Sequence, residues 1–134
     1  MIHELTVKTP GQGLHEVTAK IRPLVAQANV AEGLCTIFLR HTSASLIIQE
    51  NAAPSARRDL EAWLNRHVPE HDPFYTHDEE GPDDMPAHIK AALTATSLSI
   101  PILRGQLVLG TWQGVYLWEH RRAPHERKLV VHIA

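Results

Sequence analysis

Four strand-like runs follow one another at the end of the chain with no helix-length segment between them: Leu98 to Leu103, Gln106 to Leu109, Val115 to Trp118 and Lys128 to Ile133. Arg104-Gly105 and the polar stretch from Arg121 to Glu126 separate them. Connections this short join antiparallel neighbours, because a parallel pair needs a crossover of about a dozen residues or more. A doubly wound parallel sheet is therefore excluded for this part of the chain.

The earlier residues supply helices as well as strands. Residues 2–9 alternate, with Leu5 and Val7 on one face and Glu4, Thr6 and Lys8 on the other, as in a half-buried strand. Pro10 to Gly13 is a turn signal, after which Leu14 to Val17 is expected to pair back on the first strand. Thr18 suits the N-cap of a helix reaching about Asn29, with Ile21, Leu24, Val25 and Ala28 at helical spacing. Pro23 sits badly there, since it removes a backbone hydrogen bond. Gly33 opens an apolar strand from Leu34 to Arg40, and Leu46-Ile47-Ile48 forms another; the small polar residues from His41 to Ser43 suit a hairpin bend between them. Pro54 and Ser55 introduce a helix that carries Leu60, Trp63 and Leu64 and stops before Pro69. Pro69, Pro73, Gly81 and Pro82 keep residues 67–85 irregular, and loops of that length are commonly functional. Pro86 then suits the first turn of a short helix, with Asp84 near its cap and Ile89 and Leu93 facing inward. The order predicts an α+β fold with largely antiparallel strands and two main helices. At 134 residues, the chain is expected to form a single domain over 1–134.

Composition narrows the class. The hydrophobic share of 43% suffices for a core, and a net charge of −2 argues against a dedicated nucleic-acid binder. Cys35 is the one cysteine, so no internal disulfide forms; its apolar neighbours make it a core residue. The first residues lack a basic and apolar leader pattern, and the charge-free stretch from Ala91 to Leu103 is too short to span a bilayer. A cytoplasmic protein without membrane partners is the expectation. The anomaly is ten histidines, the side chain that titrates near neutrality and most often binds metals.

Three polar knots stand out. His41-Thr42-Ser43-Ala44-Ser45 and Glu50-Asn51 flank an apolar strand, as a structural bend or a functional site. From His77 to Asp84 five of eight residues are acidic, with histidines at both ends of the segment reaching His88. This is a solvated loop with helix-capping charges, or a divalent-metal site, since imidazoles and carboxylates together suit Zn²⁺ or Mg²⁺. Gly110-Thr111-Trp112-Gln113-Gly114 suggests a bulge or a close backbone approach, and Glu119-His120-Arg121 ends a strand facing either a pocket or water. No Gly-x-Ser-x-Gly elbow supports a serine hydrolase, and no Gly-rich phosphate loop is present.

Taken jointly, His41 to Leu46, Glu50-Asn51, Asp83 to Lys90, Gly110 to Gly114 and Glu119 to Arg121 resemble the YjbQ family across essentially the whole chain. One departure is visible: Asn51-Ala52-Ala53-Pro54 carries Ala53 where that family usually has aspartate. The resemblance implies a trimer of β-sandwich subunits with clefts where subunits meet. It implies secondary thiamine-phosphate synthase activity, joining an aminopyrimidine-methyl diphosphate to a thiazole phosphate with release of diphosphate. Carried over to this chain, the functional set is His41, Glu50, Asn51, His77, His88, Lys90, Glu119 and Arg121. Of these, His41, His77 and His88 are expected to converge on a metal or phosphate. Two other readings stand beside the synthase: a metal-dependent hydrolase or lyase acting on a small phosphorylated metabolite, and a non-catalytic metabolite-binding trimer.

Overall fold

The computed structural model describes residues 1–134. Its elements are β1 (Ile2–Thr9), β2 (Gly13–Glu16), α1 (Thr18–Ala28), β3 (Glu32–Leu39), β4 (Ala44–Glu50), α2 (Pro54–His67), α3 (Asp84–Leu93), β5 (Ser97–Leu103), β6 (Gln106–Leu107), β7 (Gln113–Glu119) and β8 (His125–Ile133). The strands form a five-stranded sheet ordered β1-β8-β3-β5-β6 and a three-stranded sheet ordered β2-β7-β4. Every ladder is antiparallel, so the expected α+β class holds. No helix is long and apolar enough to cross a membrane.

The two sheets share one core. Val7, Ile37, Leu39, Ile100, Leu129 and Val131 of the large sheet meet Leu46, Val115 and Leu117 of the small one, and α1 adds Ile21 and Val25. Strand alternation sends Tyr116 and Trp118 to the other face of β7. There Trp118 packs with Leu64 and Val68, and with Leu14, Ile47, Leu60 and Ile89, which fixes α2 and α3 outside the small sheet. Buried on both faces, β7 has no room for polar alternation until Glu119.

Several local expectations change. The segment after the first turn does not pair back on β1; β2 joins β7, with Leu14 opposite Trp118. Residues 40–43 are no hairpin bend, because β3 and β4 belong to different sheets and this stretch carries the chain between them. Val17 is the N-cap of α1, and Thr18, its first helical residue, accepts the Val115 N–H on its hydroxyl at 2.8 Å. Pro23 stays inside the helix because it lies on the exposed side, where water can satisfy the freed carbonyl. In α3 the inward residues are Ala87, Lys90 and Ala91, whereas Leu93 is exposed.

Candidate functional site

The first turn of α3 and the irregular stretch before it bring three metal-type donors together. Asp84 and His88 are four residues apart on α3 and therefore share a face. Asp84 Oδ2 lies 2.6 Å from His77 Nε2 and 3.3 Å from His88 Nε2. The donor atoms of His77, Asp84 and His88 all lie within 4.8 Å of one another. Zinc bonds of ~2.0–2.2 Å separate tetrahedral ligand atoms by about 3.3 Å, so the set needs only small shifts to take an ion. Two imidazole nitrogens and one carboxylate oxygen are a normal zinc donor set, one that leaves a fourth position for water or substrate. Beside it, the loop encloses a cavity of about 460 Å³ lined by His71, Tyr75, His77, Asp78 and Met85 among others.

Arg121 anchors this group from the end of β7. Its Nη1 donates to Asp84 Oδ1 at 2.7 Å, its Nε to Asp83 Oδ2 at 3.1 Å and its Nη2 to the Glu80 carbonyl at 2.8 Å. The Arg122 N–H adds a bond of 2.9 Å to Asp83 Oδ2. Asp84 is only 3% exposed. Burial opposes its ionisation, but the His77 hydrogen bond and the Arg121 charge prevail and hold its pKa below the usual value. The same hydrogen bond raises the pKa of His77 above 6.5.

Within one chain, the remaining residues expected at the site lie outside the three-donor group. His41 is not part of the three-donor group: its Nε2 accepts the Lys128 N–H at 2.8 Å, and burial, then Arg127, lowers its pKa. Glu119 is 0% exposed and its carboxylate is fully engaged between the sheets. Thr9 Oγ1 and Arg127 Nε donate to Oε1 at 2.6 and 2.7 Å, while the Arg121 N–H and Arg127 Nη2 donate to Oε2. Asn51 Nδ2 donates to the carbonyls of Thr111 and Gln113 at 3.1 and 3.2 Å, tying down the turn around the exposed Trp112. Glu50 Oε2 accepts the Ala52 N–H at 2.9 Å. Ala53 is the N-cap of α2, with Pro54 at its first position and no side-chain cap. An aspartate there would supply that cap, so Ala53 removes a helix-start bond and leaves the metal-type donors untouched.

Two residues of the polar knots take a definite place only in the fold. Asp84, read from the sequence both as a helix-start charge and as part of a candidate metal segment, stands i,i+4 to His88 and completes the three-donor group. His120 is 1% exposed beside Trp118, its Nε2 lies 2.9 Å from the buried Ser45 hydroxyl, and its Nδ1 has no partner. Burial lowers its pKa to about 3.

A two-layer antiparallel sandwich flanked by helices, with a His-Asp-His group at one helix start, is the class that these features define. The chain belongs to the YjbQ family: the profile of the UPF0047, YjbQ-like proteins matches residues 3–134. It is 55% identical over 130 residues to the UPF0047 protein sll1880 of Synechocystis sp., covering 97% of this chain and 88% of that protein. It is 42% identical to YjbQ of Escherichia coli O157:H7 over 127 residues, 94% of this chain and 91% of the other. A crystal structure of a YjbQ/UPF0047-family protein from Clostridium acetobutylicum superposes with a TM-score of 0.91 at 35% identity, covering 98% of this chain and 99% of that one.

Proposed function

We propose that this chain is a divalent-metal-dependent enzyme acting on a small phosphorylated metabolite, with His77, Asp84 and His88 as the metal ligands. The convergence of those three donors beside a loop-lined cavity carries the proposal. A bound zinc or magnesium ion would offset negative charge on phosphate oxygens. Around it, Arg121 holds Asp84 ionised and oriented, and Glu119 steadies Arg121 by accepting its backbone N–H. Arg121 spends its guanidinium on the loop, so its role is positioning rather than phosphate binding.

Thiamine-phosphate synthesis is the specific reaction favoured by the family resemblance. The thiazole nitrogen would form a bond to the aminopyrimidine methylene carbon while the carbon–oxygen bond breaks and diphosphate leaves with the electron pair. Metal analysis of purified protein, with diphosphate release from the two precursors measured before and after chelation, tests both levels. Chelator-sensitive release supports the synthase. Bound metal without release leaves a hydrolase or lyase, and absence of metal leaves the non-catalytic metabolite-binding reading.

A homotrimer belongs to the same proposal. Leu34, Phe38 and Leu103 are exposed on the outer face of the five-stranded sheet, where Phe38 lies beside Val130 and Leu34 beside Pro101. A second copy would remove this apolar surface from water. A particle of one-chain mass in light scattering would defeat the trimer.

A further inference from the structure

On the far side of α3 from the metal-type group, a second polar cleft opens between α3 and the end of α2. Lys90 lies two positions beyond His88, about 200° around the helix, so it points away from His88 and Asp84. The cleft holds about 360 Å³ and is lined by Gln12, Asn65, Glu70, Lys90 and Arg122 with two apolar neighbours. Lys90 is 4% exposed, yet its ammonium touches no carboxylate; its one partner is the neutral Asn65 Oδ1 at 2.6 Å. Buried charges are ordinarily paired, and one amide oxygen satisfies one of three N–H donors. Arg122 gives Nη2 to Glu70 at 2.6 Å and leaves its other donors open. Asn65 uses its oxygen on Lys90, which leaves its Nδ2 to donate. The Glu70 carboxylate also lines the cleft but is taken up by Arg122. What stays open is a buried ammonium with no carboxylate in contact, an amide N–H₂ and the rest of the guanidinium, a set complementary to a compact oxyanion with several acceptor oxygens.

We infer that the cleft is an anion subsite, separate from the metal-type group, which takes a phosphate monoester through Lys90, Asn65 and Arg122. The inference rests on the proposed phosphorylated substrate only for the choice of phosphate among oxyanions; the cleft and its unpaired lysine stand independently.

Calorimetric titration with inorganic phosphate at constant ionic strength, with acetate as the comparison ion, tests it on wild type, Lys90→Met, Asn65→Asp and His88→Ala. Wild type is expected to bind phosphate more tightly than acetate. Lys90→Met is expected to weaken phosphate binding about tenfold or more, the effect of losing a charge-assisted hydrogen bond. Asn65→Asp changes an exposed residue, supplies the carboxylate that Lys90 lacks, and is expected to displace phosphate to a similar degree while raising the thermal midpoint. It decides the matter if Lys90→Met does not fold. His88→Ala should keep phosphate affinity within about twofold while losing zinc. Wild-type affinity in both Lys90→Met and Asn65→Asp, or phosphate binding no tighter than acetate, overturns the inference. So does loss of phosphate binding in His88→Ala, which would locate phosphate at the metal-type group. Phosphate binding by a wild type that takes up neither zinc nor magnesium would sink the proposed metal enzyme and leave the cleft intact, so the two failures are distinguishable.

Discussion

His77 and His120 each have a carboxylate nearby, and they shift in opposite directions. His77 stands at the surface with Nε2 on Asp84, and that hydrogen bond raises its pKa. His120 is sealed against Trp118 and Ser45, where burial lowers its pKa to about 3 despite the neighbouring Glu119 charge. The carboxylates divide in the same way. Both carboxylate oxygens of Glu119 are met by fixed donors in a fully buried seam between the sheets, whereas Asp84 shares Oδ2 with two imidazoles that open to water. Similar groups serve architecture where the carboxylate is sealed in, and leave a proton free to exchange where the imidazoles face water.

The sharpest way to break this contrast is Glu119→Ala, which leaves the Arg127 guanidinium buried and unpaired. It should cost about 3–5 kcal/mol in urea unfolding, as for other broken buried pairs; a loss below about 1 kcal/mol would mean that water reaches the seam. His88→Ala should weaken zinc binding about 100-fold or more, beyond the loss of a residue that merely supports a ligand, while unfolding close to wild type. Competition against a zinc chelator measures it.

Opposite pH limbs follow from the two histidines. In the unfolded chain His120 takes a proton near pH 6.5, and in the folded chain only near 3. Stability is therefore full above 6.5 and falls as pH drops toward 3, by about 2 kcal/mol at pH 5, and His120→Gln should flatten that limb. The raised pKa of His77 works in the other sense: its contribution is full below 6.5 and fades as pH rises through the folded value. Zinc affinity should climb over that upper range, since the ligand must lose its proton. An imidazole signal of His77 titrating at or below 6.5 in the metal-free protein would remove the contrast. The smallest effect is expected from Ala53→Asp, which should add about 1 kcal/mol through a helix cap and leave zinc affinity unchanged, as thermal melts and zinc titration would report.

The sequence makes the strands and helices legible because alternation and helical spacing are local. Which sheet a strand joins is not local: β2 and β4 both serve β7, and nothing in Leu14 to Val17 or Leu46 to Ile48 names that partner. The histidine pair at 77 and 88 was legible from the acidic segment between them. Which of the five carboxylates joins them was not, because one at a helix start, as Asp84 is, already has a reason to be there. His41 shares a residue type with the group but lies at the passage between the sheets, where it binds the backbone of β8. The buried state of His120 depends on α2 and α3 covering the small sheet, a tertiary fact invisible in Glu119-His120-Arg121.

β1 pairs with β8 along its whole length, from Ile2 opposite His132 to Thr9 opposite His125, and β8 also links β1 to β3. Thr9 and His125 lie 116 residues apart. During synthesis, β1 and β3 emerge long before the strand that must lie between them, and Glu119 emerges before Arg127. The large sheet therefore closes only after the last strand has left the ribosome. Until then the nascent chain holds two apolar strands with open edges, a state in which contacts of high sequence separation make folding slow and aggregation a hazard.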